Sequence, residues 1–265
     1  MALGRLFLKD FVEIARSGLI SSGRSIVEIG AQQLSDSFLD AGDLLDALYR
    51  TDGPGAGRNR PVLGTAKGDH RGLANSAPAS RTFWESLGYD YACVDFDGHR
   101  HSIALDLNRD AVPDRLRGKF DLVVNTGTTE HIANQDNAFR VIHDFARVGG
   151  VMYHEVPVCM FGHGLVNYSP KFFLQLFRQN LYQPLFIRTH AWENTAIPRC
   201  VRAMNRKWGG GHVFNFDGVK DLTITAAFRK VHDRAFVTPL DLPRKFMIKE
   251  YARSWRTWKH LIPLR

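Results

Sequence analysis

Ile26-Val-Glu-Ile-Gly30, continued by Ala31-Gln-Gln-Leu34, is the stretch from which the rest of the chain can be read. Three β-branched residues around one acid, ending on a glycine and leading into a helical pattern, open a βα unit. Ser35 or Asp36 is a good N-cap for the next helix. The spacing of Phe38, Leu39, Leu44, Leu45 and Leu48 carries that helix to about Arg50. The alternation then repeats. Strand-length runs stand at Tyr91–Asp95, Ser102–Leu107, Phe120–Asn125, Val151–Val156, Leu185–His190 and Leu222–Arg229. Helical patterns stand at Thr82–Leu87, at Asn134–Arg147 with Gly149-Gly150 as its stop, and at Pro170–Asn180. Seven strands without an internal repeat predict one α/β domain over residues 25–230, with a Rossmann-like, doubly wound and mostly parallel sheet.

Three segments fall outside this pattern. Residues 1–24 read as an N-terminal helix packed on the domain through Leu6, Phe7, Phe11, Ile14 and Ala15. Residues 51–81, with Gly53-Pro-Gly-Ala-Gly57, read as an irregular insertion, either a lid near the site or a surface loop. Residues 231–265 read as a basic extension. From Arg229 to Arg265 there are ten Lys and Arg against three acids, which accounts for most of the net charge of +8. The near-neutral body argues against a nucleic-acid groove.

The chain has 265 residues, 44% hydrophobic and 23% charged, a composition that supports a packed core and argues against global disorder. No run approaches the roughly 20 apolar residues of a membrane span, and Met1–Leu19 lacks a secretory apolar core. Cys93, Cys159 and Cys200 are scattered and odd in number, so neither a disulfide framework nor a thiolate zinc site is expected. A reducing, cytoplasmic location follows as an expectation.

In open parallel sheets, ligands bind at the carboxyl ends of the strands. That rule selects Glu28, Gly30 and Ala31, then Asp95 and Asp97, then Asp106, Leu107 and Asn108, then Asn125 to His131. An acid ending the second strand suits the two hydroxyls of a ribose. Asp106 could take the exocyclic amine of adenine, with Leu107 covering a ring face. One such acid could merely cap a turn; recurrence at three strand ends points to a nucleoside.

Val27-Glu-Ile-Gly30, Asp95, Asp106-Leu107 and Phe120-Asp-Leu-Val-Val-Asn125 followed by Glu130-His131 resemble the successive motifs of class I S-adenosylmethionine-dependent methyltransferases. The segment His163-Gly164 to Phe173 resembles their substrate-side loop and helix. The resemblance covers about residues 25–190, and 229 with the last strand. It implies a seven-stranded sheet with the last strand antiparallel. It also implies S-adenosylmethionine as cofactor, held by Glu28, Gly30, Ala31, Gln32, Asp95, Asp106, Leu107 and Asn125. The activity it implies is methyl transfer to a small-molecule or glycan-linked acceptor, with His131 as general base beside Glu130, and His154 and His163 as alternatives. Imidazole and carboxylate suit several divalent ions, but the spacing of Glu130, His131, His154 and His163 matches no ligand motif, and no metal centre is expected.

One departure weighs against activity. Where the family has Gly-x-Gly-x-Gly, this chain has Gly30-Ala31-Gln32-Gln33-Leu34, so Gln32 carries a side chain where a glycine permits close approach. Either Gln32 contacts the ligand, or the cofactor site has decayed. The second case motivates another reading: a non-catalytic scaffold that binds a protein partner or an anionic membrane through residues 244–262. There Tyr251, Trp255, Trp258 and Ile262 recur at helical spacing among basic residues. A nicotinamide-dependent oxidoreductase would need a dinucleotide glycine fingerprint that is missing. The sequence does not indicate an oligomeric state.

Overall fold

The computed structural model describes residues 2–20, 25–50, 52–63, 79–98, 102–160, 163–191 and 221–241. The basic segment 244–262, most of the insertion at 51–81, and Cys200 lie outside the described residues.

Among the described residues, nine strands and six α-helices follow in chain order: β1 (Ala2–Leu3), α1 (Arg5–Arg16), β2 (Ser25–Ile29), β3 (Gln33–Leu34), α2 (Asp36–Leu39), α3 (Gly42–Tyr49), α4 (Ser80–Ser86), β4 (Asp90–Asp95), β5 (Ile103–Ala104), β6 (Phe120–Thr126), α5 (Gln135–Phe145), β7 (Ala146–Cys159), α6 (Pro170–Gln179), β8 (Gln183–Ala191) and β9 (Leu222–Arg229). Seven of the strands form one sheet in the order β5-β4-β2-β6-β7-β9-β8. β2 pairs in parallel with β4 on one side and β6 on the other, which makes the gap between their carboxyl ends the switch point. β9, the last of the described strands in chain order, runs antiparallel to both β7 and β8. β1 and β3 form a separate two-stranded parallel pair, which the sequence reading did not anticipate.

Period-2 alternation explains the two-sided core. Val27, Ile29 and Val123 face one apolar cluster with Phe139, Ile142 and Phe173, while Ile26, Leu122 and Val124 face the other with Phe7, Phe11 and Trp84. The helices cover both faces through their apolar stripes, and α2, α5 and α6 start on a side-chain cap. Asn134 accepts from the Asn137 N–H at the start of α5, and Ser169 from the Lys171 N–H at the start of α6, where Pro170 needs no N–H partner.

Three local expectations change. The helix expected from residue 35 to about 50 is two helices, broken at Asp40–Ala41, where the Ala41 backbone leaves the helical region at ψ 52°. Gly149-Gly150 does not stop α5, which ends at Phe145; both glycines lie inside β7, where Gly150 packs against the Phe120 carbonyl. The third strand of the expectation shrinks to Ile103–Ala104, and Leu105–Asn108 turns away to wall the site.

Candidate active site at the carboxyl edge of the sheet

β2 leaves the sheet through Gly30, at φ +80°, with its N–H on the Val94 carbonyl at 2.8 Å. Two carboxylates then hold the turn from opposite sides. Asp95 accepts the Ala31 N–H at 3.2 Å, and Glu28 accepts the Gln32 N–H at 3.3 Å. Gln32 is buried, and its side chain folds back beneath the turn. Its Nε2 lies 3.3 Å from the Gly30 carbonyl and 3.3 Å from Thr128 Oγ1.

A cleft of about 420 Å³ opens beside this turn. Gly30, Asp95, Asp106, Leu107 and His131 line it, together with Phe96, Asn108 and Thr128. Asp95 also accepts the Phe96 N–H at 2.8 Å, and Phe96 stands 77% exposed at the mouth. Asp106 accepts the Asn108 N–H at 2.9 Å and Arg109 Nε at 2.6 Å; these bonds, the backbone one foremost, hold its carboxyl below the usual range. Asn108 closes the far end, its Oδ1 accepting the N–H groups of Ala133 and Asn134 at 3.2 and 3.1 Å.

Three residues expected to hold the cofactor lie elsewhere. Glu28 belongs to the face of β2 that packs on α4, and its carboxylate accepts from Ser80 Oγ at 2.7 Å, Trp84 Nε1 at 2.7 Å and the Tyr91 hydroxyl at 2.8 Å. It does not line this cleft, and desolvation pushes its pKa up. Gln32 is turned inward as described. Asn125 is buried at the end of β6, where its Nδ2 donates to Thr129 Oγ1 at 2.9 Å and stands 3.3 Å from His154 Nδ1. All three fasten the strand ends that carry the cleft. Ala31 flanks it through its N–H on Asp95.

A second cleft, about 470 Å³, lies across the segment Gly127–His131. Thr126, Glu130, Glu155, Met160 and His163 form one side, and Gly4, Ser35 and Ser37 from the N-terminal elements another. Glu155 stands in register opposite Thr126 and accepts from the Tyr153 hydroxyl at 3.3 Å. Burial first, and then the charge of Asp10, pushes its pKa up to about 7. Asp10 reaches the region from α1, bonded to Tyr153 at 3.2 Å and to Arg188 at 2.9 Å. Sequence reasoning missed Glu155, which lies within the expected strand Val151–Val156, because it took the neighbouring His154 as that strand's site residue, and alternation turns the two to opposite faces. His154, its neighbour, points into the opposite core beside Phe139 and Phe173, and burial lowers its pKa to about 3.

Glu130 is 1% exposed in its side chain, and its Oε1 lies 3.3 Å from His163 Nε2 and 3.9 Å from His131 Nε2. The hydrogen bond to Glu130 raises the His163 pKa. The two clefts therefore share one wall, with His131 on one side and Glu130 and His163 on the other.

No family model matches this chain, and no curated protein does. Solved structures do overlay. A StiE O-methyltransferase segment covers 94% of this chain and 79% of its own at 11% identity and a TM-score of 0.44. The 1,6-didemethyltoxoflavin N1-methyltransferase of Burkholderia thailandensis, bound to that compound and S-adenosylhomocysteine, covers 88% and 92% at 11% identity and 0.41. A TehB-like methyltransferase of Corynebacterium glutamicum covers 84% and 96% at 13% identity and 0.40. These overlays are too loose to transfer any residue's role. The fold rests on the sheet itself: seven strands, β2 at the switch point and the last strand antiparallel, as in the Rossmann-like fold of class I methyltransferases.

Proposed function

We propose that the chain transfers a methyl group from S-adenosylmethionine to a small-molecule or glycan-linked acceptor. The observation that carries this reading is the pair of clefts sharing the wall Gly127–His131, one with nucleoside chemistry and one with a proton acceptor. The first cleft falls within the usual 300–1,000 Å³ of small-molecule pockets, and its donor set fits the cofactor. Asp95 offers carboxylate lone pairs to ribose hydroxyls, Asp106 an acceptor to an exocyclic amine, and Phe96 and Leu107 apolar surface to a purine. The inward fold of Gln32 leaves the backbone of the turn, rather than a side chain, facing the ligand.

S-adenosylmethionine supplies an electrophilic methyl, so the protein's work is alignment, exclusion of water and removal of the acceptor's proton. Glu155 suits that last task better than His131. Its pKa of about 7 matches neutral conditions, and it faces the second cleft, whereas His131 lines the first. The cytoplasmic location rests on the cysteine usage alone. The alternative reading, a scaffold docking through residues 244–262, falls on residues outside those described. Isothermal titration of the folded chain with S-adenosylmethionine tests the reading. A 1:1 isotherm supports it; a flat one, with circular dichroism intact, overturns it.

A further inference from the structure

We propose that Glu130, His131 and His163 form a binding site for one divalent first-row cation of the zinc type. One ligand atom from each residue lies within 4.8 Å of the other two, and the two pairs measured to Glu130 Oε1 are 3.3 and 3.9 Å. Donor atoms on a tetrahedral zinc, each ~2.1 Å from the metal, stand ~3.4 Å apart. His131, with 42% of its side chain exposed, has room to turn its ring toward Glu130 Oε1. Two imidazoles and one carboxylate form a known three-ligand set for such ions, with a position left open.

Two further observations point to a ligand. Glu130 Oε2 is buried and has no hydrogen-bond partner, an expensive state for a carboxylate oxygen. Both imidazoles also converge on that one carboxylate, with ring centroids 5.1 Å apart.

The arrangement is built rather than incidental. The Glu130 carbonyl accepts the N–H groups of Leu165 and Val166 at 2.7 and 3.0 Å, which fixes the loop carrying His163. Gly164, at φ +72°, makes that approach possible: a Cβ there would stand 2.8 Å from Glu130 Cγ and 2.9 Å from its carbonyl oxygen. Because Glu130 and His163 line the second cleft, the open position would face the acceptor and hold one of its oxygens. A hydroxyl-bearing acceptor follows, and this last step alone rests on the methyl-transfer reading.

The test uses the full chain, stripped of metal by chelator dialysis and checked for folding by circular dichroism. Titration with Zn²⁺ should show one tight equivalent, and Co²⁺ should give the visible bands of a low-coordinate complex. Glu130→Gln and His163→Ala should each weaken Zn²⁺ binding at least ~100-fold and remove the Co²⁺ bands. The inference is overturned if the stripped, folded chain takes up no Zn²⁺, or if both variants bind as the wild type does. A chain that binds Zn²⁺ through these residues yet ignores S-adenosylmethionine upholds the cation site and sinks methyl transfer.

Discussion

The two clefts lie side by side on one sheet edge, yet they handle charge in opposite ways. In the first, Asp95 and Asp106 are acids tied to backbone N–H groups at the strand ends, and these bonds hold Asp106 below its usual range. In the second, Glu155 sits among burial and another acid, Asp10, and is pushed up to about 7. An acceptor held below the usual carboxylate range, as Asp106 is, suits recognition of a polar nucleoside. A carboxyl poised near neutrality suits a proton that must leave. Substitutions around the first cleft should therefore alter binding or the floor beneath it, and substitutions in the second should alter pH behaviour.

The largest expected effect lies beneath the first cleft. Glu28→Ala leaves Ser80, Trp84 and Tyr91 without their buried acceptor and should cost about 4 kcal/mol of stability. Urea unfolding measures it as a lower midpoint at unchanged slope. If stability were unchanged while cofactor affinity fell, Glu28 would be a ligand and the division between floor and cleft would fail.

Next is Asp95→Ala. Losing the carboxylate should weaken S-adenosylmethionine binding about 100-fold, or ~2.7 kcal/mol, in titration calorimetry. The variant also frees the Ala31 N–H, so a thermal melt should accompany the measurement. An affinity within threefold of wild type would remove Asp95 from the site.

The contrast is sharpened by Glu155→Gln. In the wild type, a folded-state pKa of about 7 against an ordinary 4.5 means that the fold binds this proton more tightly than the unfolded chain does. That contribution is present below pH 4.5 and is lost as pH rises to about 7. Between pH 5 and 8 the wild type should therefore lose roughly 2 kcal/mol relative to Glu155→Gln, read from paired urea titrations. The neighbouring His154, neutral in the fold with a pKa of about 3, has the opposite sign: its contribution is present above pH 6.5 and fades as pH falls. The difference between wild type and variant isolates Glu155 from it. Parallel stability curves would show that Glu155 is an ordinary carboxylate.

How much of this could be read in the sequence follows the same division. The strands of the first cleft announce themselves by β-branched runs that end in acids, and Gly30, Asp95, Asp106 and Leu107 stand where strand-end logic puts them. Alternation also decides that Glu28 faces the opposite side from Val27 and Ile29, but a residue list does not show that Trp84 and Tyr91 wait there. The second cleft depends on long-range contacts. Asp10 and Tyr153 are 143 residues apart, and His163 reaches Glu130 only because a glycine follows it. No local spacing encodes such meetings, which is why the donor set Glu130, His131 and His163 matches no linear motif.

The smallest effect belongs to the residue that cast most doubt on the site. Gln32 occupies a position where class I methyltransferases have glycine, and a side chain projecting into the cleft would obstruct a ligand there. Instead its Nε2 bonds beneath the turn to Thr128 Oγ1 and the Gly30 carbonyl, and its Oε1 is buried without a partner. Its contribution is therefore to brace the turn against Thr128, and only weakly, because the unpaired oxygen offsets part of what the amide gains. Gln32→Ala should then cost no more than about 1 kcal/mol in stability and change S-adenosylmethionine affinity by less than about threefold. A large gain in affinity on shortening the side chain would mean that Gln32 swings out to block the cleft in solution. A large loss would make it a ligand. Either result would place the control of the first cleft in the turn itself rather than in the acids around it.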